Sequence, residues 1–317
     1  ITCRDWSSDV CSSDLTMTTT RRSFLGMGAA ALAGAAAGTA LAVPKTHAPG
    51  DLIRVGLILG EYPHSTGWAP MVNGINGNAL SPRRGGMTYT HVWHIDREVS
   101  TAFAKTYGLG TVAASFDGMV GKVDALIIDT VMQTPWVYKL AEPYLAAGIP
   151  VFSDRPGSDA VWKTKRLIEL AKKYDTPFWS GSSLERMYQC IQAREHHPPE
   201  TITGYETWSE GTPFYCHGLH GMGWTHKITG GDIRAVSQKM DDWVKNGGVS
   251  TVIHKDHGKG EYTGTIHHTK RENCLIWTKF AGSDQVYRYD TGHWDTFVYL
   301  PLLLTVQDIF WYGMEKL

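Results

Sequence analysis

Cysteine is scarce in this 317-residue chain. Of five cysteines, Cys3 and Cys11 lie in the first sixteen residues, which leaves Cys190, Cys216 and Cys274. An odd number without metal-type spacing excludes a scaffold built on disulfides, although one bridge could form in an oxidising compartment. Excess charge is missing too: the formal net charge is −1, with no basic block, which argues against nucleic acid as the main partner. There is no Gly-x-Ser-x-Gly elbow and no P-loop, so two common catalytic devices are excluded. Internal repeats and low-complexity linkers are also absent.

What is present begins with a substantial apolar fraction, 42%, enough for one large or two modest domains. Twelve tryptophans and 11% aromatic residues read first as core material, although a ring-shaped ligand would also use them. Residues 1–16 have no apolar period and read as a non-native leader. From Met17 the text becomes MTTTRRSFLGMGAAALAGAAAGTALA. The pair Arg21–Arg22, then Phe24 and Leu25, an Ala/Gly-rich stretch and Ala40-Leu41-Ala42 resemble a twin-arginine export signal over 17–42. That stretch is too weakly hydrophobic for a lasting membrane anchor. A mature chain starting near Val43, handled by the twin-arginine machinery and delivered to the periplasm or outside, is the expectation. At the other end MEKL carries no closing signature and reads as a truncation.

From Asp51 apolar runs alternate with helical patterns. LIRVGLIL (52–59), THVWHID (90–96), TVAAS (111–115), VDALIID (123–129), IPVFSD (149–154) and TPFWSGS (176–182) read as strands. Helices are expected near 67–76 and over 99–108, 134–148 and 159–175. This alternation predicts βαβ units and a doubly wound parallel sheet over 51–182, with ligands beyond the carboxyl ends of its strands. After residue 183 a helix (183–197), a strand (201–209) and a second helix (215–229) precede several strand-like runs with no helix between them, which predicts antiparallel pairing. A final apolar helix is expected over 299–314. The fold class is therefore α/β, a Rossmann sheet followed by an α/β domain (183–317) with an open, mainly antiparallel sheet.

Three stretches resemble the Gfo/Idh/MocA family of oxidoreductases. DALIIDTVMQTPWVYKLAEPYLAAGIPVFSDRP (124–156) is similar to the family's fourth strand, helix and fifth strand, which closes on Glu-Lys-Pro. GLHGMGWTHKITG (218–230) is similar to its Gly-x-His helix, and IRVGLILG to its nucleotide-binding start. The resemblance implies a dinucleotide, NAD or NADP, with Gly60, Gly67, Asp96, Thr130 and Asp154 as candidate contacts. It also implies a sugar, polyol or related ring as substrate, and possible pairing of copies through the second sheet.

Departures accompany the resemblance. The family's loop is Gly-x-Gly-x-x-Gly, whereas here Leu59 stands at a glycine position and Pro63 and His64 crowd the turn. The loop is thus expected to hold a dinucleotide differently, weakly or not at all. Asp96 suits either a ribose diol or a helix cap. Asp154-Arg155-Pro156 replaces Glu-Lys-Pro; an arginine stays protonated, so Arg155 suits orienting an alkoxide or carboxylate, or a local salt bridge, rather than proton transfer. That leaves His220 as the candidate acid/base, or else a packed helix histidine. The family's acid three residues on is Gly223, so the ring needs another partner, with His217 or Tyr215 as candidates. His217 and Arg186 are the candidate substrate contacts, surface charge being the alternative for Arg186. The His217, His220 and His226 helix, His254, His257, and the His267–His268 pair supply no recognisable third ligand, so no metal site is expected. An NAD(P)-dependent oxidoreductase is the leading expectation. A glycoside hydrolase or lyase using NAD on the same fold, and a non-catalytic sugar-binding relative, stand beside it.

Overall fold

The computed structural model describes residues 51–60, 64–74, 86–130, 134–210, 214–242, 247–255, 260–269, 276–289 and 298–313. The leader and export signal expected over 1–42 lie outside them, as do the Tyr215 side chain and Cys274.

The first sheet is built from β1 (Ile53–Leu59), β2 (Met87–Trp93), β3 (Thr111–Val112), β4 (Ala125–Asp129), β5 (Val151–Asp154) and β6 (Phe178–Gly181). All its pairings are parallel, in the order β3-β2-β1-β4-β5-β6. Strands covered on both faces carry continuous apolar runs, which is why IRVGLIL and ALIID were readable as central strands. Side chains alternate between the two faces: Leu57 and Ile127 pack on one side, Ile58, Leu126 and Ile128 on the other.

Four helices join these strands: α1 (Ser65–Asn73), α2 (Arg97–Tyr107), α3 (Val137–Ala146) and α4 (Val161–Lys173). Residues of α1 and α2, such as Trp68 and Phe103, share one core with Leu57; Leu140, Tyr144 and Leu167 of α3 and α4 share the opposite core with Ile128. Helix α2 opens on Asp96, whose carboxylate accepts from Glu98 N at 2.8 Å, and closes on Gly108 at φ 68°.

A 3-10 turn (Ser183–Arg186), α5 (Tyr188–His196) and α6 (Phe214–Thr229) accompany the second sheet. Its strands are β7 (Tyr205–Glu210), β8 (Ile233–Asp242), β9 (Gly247–His254), β10 (Tyr262–Thr269), β11 (Ile276–Phe280) and β12 (Val286–Tyr289), in the order β12-β11-β7-β10-β9-β8. Four of the five pairings are antiparallel, as expected. The exception is β7, which lies parallel to β10 because α6 carries the chain across after it. Helices α5 and α6 cover one face through Cys190, Trp224 and Ile228, which meet Ile266, Ile276 and Tyr287 of the sheet. Trp224 Nε1 donates to Thr278 Oγ1 at 2.9 Å.

The last helix, α7 (Leu300–Tyr312), returns to the first sheet. Leu302, Leu303, Val306, Ile309 and Phe310 join the core formed by α1, α2, β1 and β2. Among the described residues no helix is long and apolar enough to cross a membrane.

Candidate functional site

The sheet order reverses between β1 and β4, and the carboxyl ends of β1, β4 and β5 meet there. Apolar strands end on acids at this edge: Asp129 closes β4 and Asp154 closes β5, both buried at 0% and 3% exposure. Ser65 N, at the start of α1, donates to Asp129 Oδ2 at 2.6 Å. His64 Nδ1 lies 2.6 Å from Asp154 Oδ2, and the Arg155 backbone N–H donates to the same carboxylate. One ligand-capable atom from each of His64, Asp129 and Asp154 lies within 4.8 Å of the other two.

The two acids are driven in opposite directions. Burial, and then the charge of Asp154, push Asp129 up to about 6, only partly countered by His64 and Ser65. Burial would raise Asp154 as well, but His64 and Arg155 outweigh it and hold that carboxyl below its ordinary range.

An aromatic wall flanks the acids. His64 lies 5.8 Å from Trp68 and 5.9 Å from Tyr299, Trp68 lies 6.2 Å from Phe152, and Phe152 lies 5.0 Å from Trp179, centroid to centroid. The Arg186 guanidinium sits 4.9 Å above the Trp179 ring.

His220 is organised from the next strand. In the β5–β6 register Asp154 pairs with Gly181, so Arg155 and Ser182 are the next residues along neighbouring strands. Ser182 Oγ lies 2.7 Å from His220 Nδ1 and also accepts from Leu184 N at 3.2 Å. With Nδ1–H donating to the hydroxyl, which also takes the Leu184 N–H, the unprotonated nitrogen of the neutral ring is Nε2, the atom that can accept a proton. Glu185 Oε1 accepts from Ser182 N at 2.9 Å and completes a capping box. A Cβ on Gly223 would lie 2.2 Å from Glu185 Oε1. The place of the missing acid in the Gly-x-His helix is thus filled by a carboxylate from elsewhere in the chain, linked to His220 through Ser182.

The structure brings Gly60, Thr130, Asp154 and Arg155 together at the strand ends, and His217 and His220 onto α6 with ring centroids 5.8 Å apart. Thr130 and Arg155 are buried, at 3% and 6% exposure. Asp96 lies three residues beyond the end of β2, not on the strand as expected, and caps α2. Arg186 is half-buried over Trp179, and with Arg194, Glu195 and Lys227 it lines a cavity of about 650 Å³. Sequence reasoning missed Ser182, Glu185 and Asp129 as site residues, and took His64 only as an obstruction. Acids at the ends of buried strands were the available signal for Asp129; nothing local pointed to Ser182.

No model of a known protein family matches the sequence, and no curated protein matches it. Solved structures do. A probable dehydrogenase from Thermotoga maritima superposes with a TM-score of 0.68 at 15% identity, over 82% of this chain and 89% of its own. GenD2 from gentamicin A biosynthesis, in complex with NAD, gives 0.66 at 14% identity, over 86% and 90%. Scyllo-inositol dehydrogenase from Lactobacillus casei, with bound NAD(H) and scyllo-inositol, gives 0.64 at 14% identity, over 82% and 88%. The likeness is one of fold, and it is the fold that the sequence resemblance implied.

A dinucleotide held by a glycine loop would bring its pyrophosphate to the start of α1. Here the Ser65 N–H is already given to Asp129. Gly60 is pressed on the neighbouring backbone, since its Cβ would lie 2.9 Å from Thr130 Cα. At Gly67 a Cβ would lie 2.8 Å from the Tyr299 ring. Both glycines serve internal packing, and the edge presents carboxylates. The glycine-loop mode of holding a pyrophosphate does not fit these residues.

Proposed function

We propose that this chain is an NAD(P)-dependent oxidoreductase acting on a hydroxyl of a sugar, polyol or related ring. The observation that carries the proposal is the hydrogen bond between Ser182 and the buried His220 at the edge where Arg155 also lies. An imidazole fixed through Nδ1 can exchange a hydroxyl proton at Nε2 near neutral pH. Arg155, permanently charged, orients the oxygen on which negative charge develops. Ser182 sets the ring's tautomer and Glu185 holds Ser182 in place. A nicotinamide, when bound, supplies the hydride acceptor or donor. Support for it comes from fold neighbours that carry NAD and NAD(H); its phosphates would need contacts other than the glycine loop.

The same proposal includes export by the twin-arginine route, supported by Arg21–Arg22 and the Ala/Gly-rich stretch after them. It also includes pairing of copies through the face of the second sheet opposite α5 and α6, where Trp208 stacks on Trp277 at 3.8 Å and on His267 at 4.2 Å.

A second reading, a sugar-binding chain that works without a dinucleotide, is favoured by the Ser65–Asp129 bond and the packed glycines. One experiment separates the two. Small molecules released by denaturing the purified protein are identified by mass spectrometry, and its melting temperature is followed with added NAD(H) and NADP(H). A released dinucleotide, or an upward shift of several degrees, is the expected result. Neither, in a protein still stabilised by sugars, leaves only the second reading.

A further inference from the structure

The carboxylates at the ends of β4 and β5 are not used by the proton exchange at His220, and they work against a pyrophosphate. An ionised carboxylate inside a protein is costly unless an opposite charge, several donors or a metal ion meets it. Asp154 is met by His64 Nδ1 and the Arg155 N–H. Asp129 is met by Ser65, through both its backbone N–H and its side chain. Its Oδ2 takes the Ser65 N–H, whereas Oδ1 is buried with no hydrogen-bond partner of normal geometry, on a residue of 0% exposure. That incompletely satisfied carboxylate lies in the same cluster as a second carboxylate and an imidazole, with one ligand-capable atom of each within 4.8 Å of the others.

We propose that His64, Asp129 and Asp154 bind one divalent cation of the Mn²⁺ to Zn²⁺ range, each giving one ligand atom. The donor set decides the class of ion. An imidazole nitrogen with two carboxylate oxygens suits first-row divalent metals, whereas Ca²⁺ takes six to eight oxygens and Mg²⁺ keeps most of its waters. Ligand distances near 2.0–2.2 Å require the three groups to close slightly on the ion, which replaces the direct His64–Asp154 contact. Three protein ligands leave a coordination position open, the pattern of a reactive rather than a purely structural metal. The position lies at the reversal of strand order, where this architecture takes its ligands, so the open site would receive an oxygen of water or of a small molecule. Two carboxylates balance the ion's charge. The inference goes beyond the redox proposal and does not rest on it, because the ligands are distinct from His220, Ser182 and Arg155.

The test uses the untagged full chain, stripped with a chelator and dialysed. Zn²⁺ and Mn²⁺ are titrated by calorimetry, bound metal is counted by elemental analysis, and Co²⁺ supplies a visible absorption band that reports nitrogen and oxygen ligands. One equivalent of ion, with a rise of several degrees in melting temperature, is expected. Asp129→Asn keeps the shape of the side chain and removes its charge. It should weaken binding at least about 100-fold, while the metal-free variant melts no lower than the metal-free parent, because a buried charge has gone. Asp154→Asn should lose the ion as well. The idea is overturned by a chain that takes up none of the three metals, or by one that responds only to Mg²⁺ or Ca²⁺. Unchanged affinity in both asparagine variants would equally sink it, because the ion would then sit elsewhere.

Discussion

At the scale of single residues, Gly223 shows how the space of an expected acid can be taken by a carboxylate from elsewhere in the chain. The acid expected there is absent, and Glu185 occupies the space, holding the Ser182 backbone that in turn holds His220. Restoring the familiar acid should therefore do harm. Gly223→Asp sets a second carboxylate against Glu185, which burial already pushes above its ordinary value. A loss of about 2–4 kcal/mol in chemical denaturation is expected, since Glu185 must abandon its N–H partner. Adding Glu185→Ala to that variant should recover part of the loss, and a fully additive pair would contradict the shared space. His220 was readable from its motif, but its partner was not. Ser182 lies 38 positions earlier and meets it only through the packing of α6 beside the end of β6.

At the scale of elements, the second sheet depends on a glycine in β10. A Cβ on Gly264 would lie 1.8 Å from Cζ of the buried Tyr205 ring on the neighbouring β7, whose hydroxyl bonds His254 Nε2 at 2.9 Å. The ring lies over the glycine, which fixes β7 beside β10 despite their parallel direction. Gly264→Ala is expected to cost about 3 kcal/mol or more in urea unfolding. A second change, Tyr205→Leu, should make the alanine far better tolerated. Strand identity in this region was legible because the runs alternate. The order was not, because β7 is separated from its partners by α6, and a strand's neighbours are chosen by the helices that must be covered. The same reasoning applies to Asp96: its place after a strand-like run is visible in sequence, while its hydrogen bond to Glu98 N makes it the cap of α2.

At the scale of the whole molecule, one buried histidine of the second sheet, His268, is expected to give the fold a pH dependence. Burial, helped by His267, lowers His268 from its ordinary 6.5 to about 4, and its Nε2 lies 2.7 Å from Ser250 Oγ. Above pH 6.5 the ring is neutral in both the folded and the unfolded chain and costs nothing. As pH falls from 6.5 to 4 the unfolded chain takes up a proton that the folded chain refuses, so stability declines by about 3 kcal/mol, then levels off. Denaturation midpoints measured across that range should show the decline, and His268→Gln should remove most of it. An equal decline in the variant would assign the dependence to other groups. The two sheets are further tied by α7, which follows the second sheet in sequence yet completes the core of the first.

The amino-acid sequence alone determined the doubly wound sheet, since strands buried on both faces must be apolar throughout and the helices between them must repeat every three to four residues. It also determined that His220 and Arg155 are candidates for proton exchange and charge orientation, because motif and side-chain chemistry are local. Only the tertiary structure decided what stands beside them. His64, Asp129 and Asp154 are separated by 65 and 25 positions and carry no shared motif. They meet because parallel strands bring all their carboxyl ends to one edge, whatever the distance along the chain. The glycines that looked free to admit a nucleotide are filled by Thr130 and Tyr299 for the same reason: the space around a residue is set by what packs against it from elsewhere in the chain.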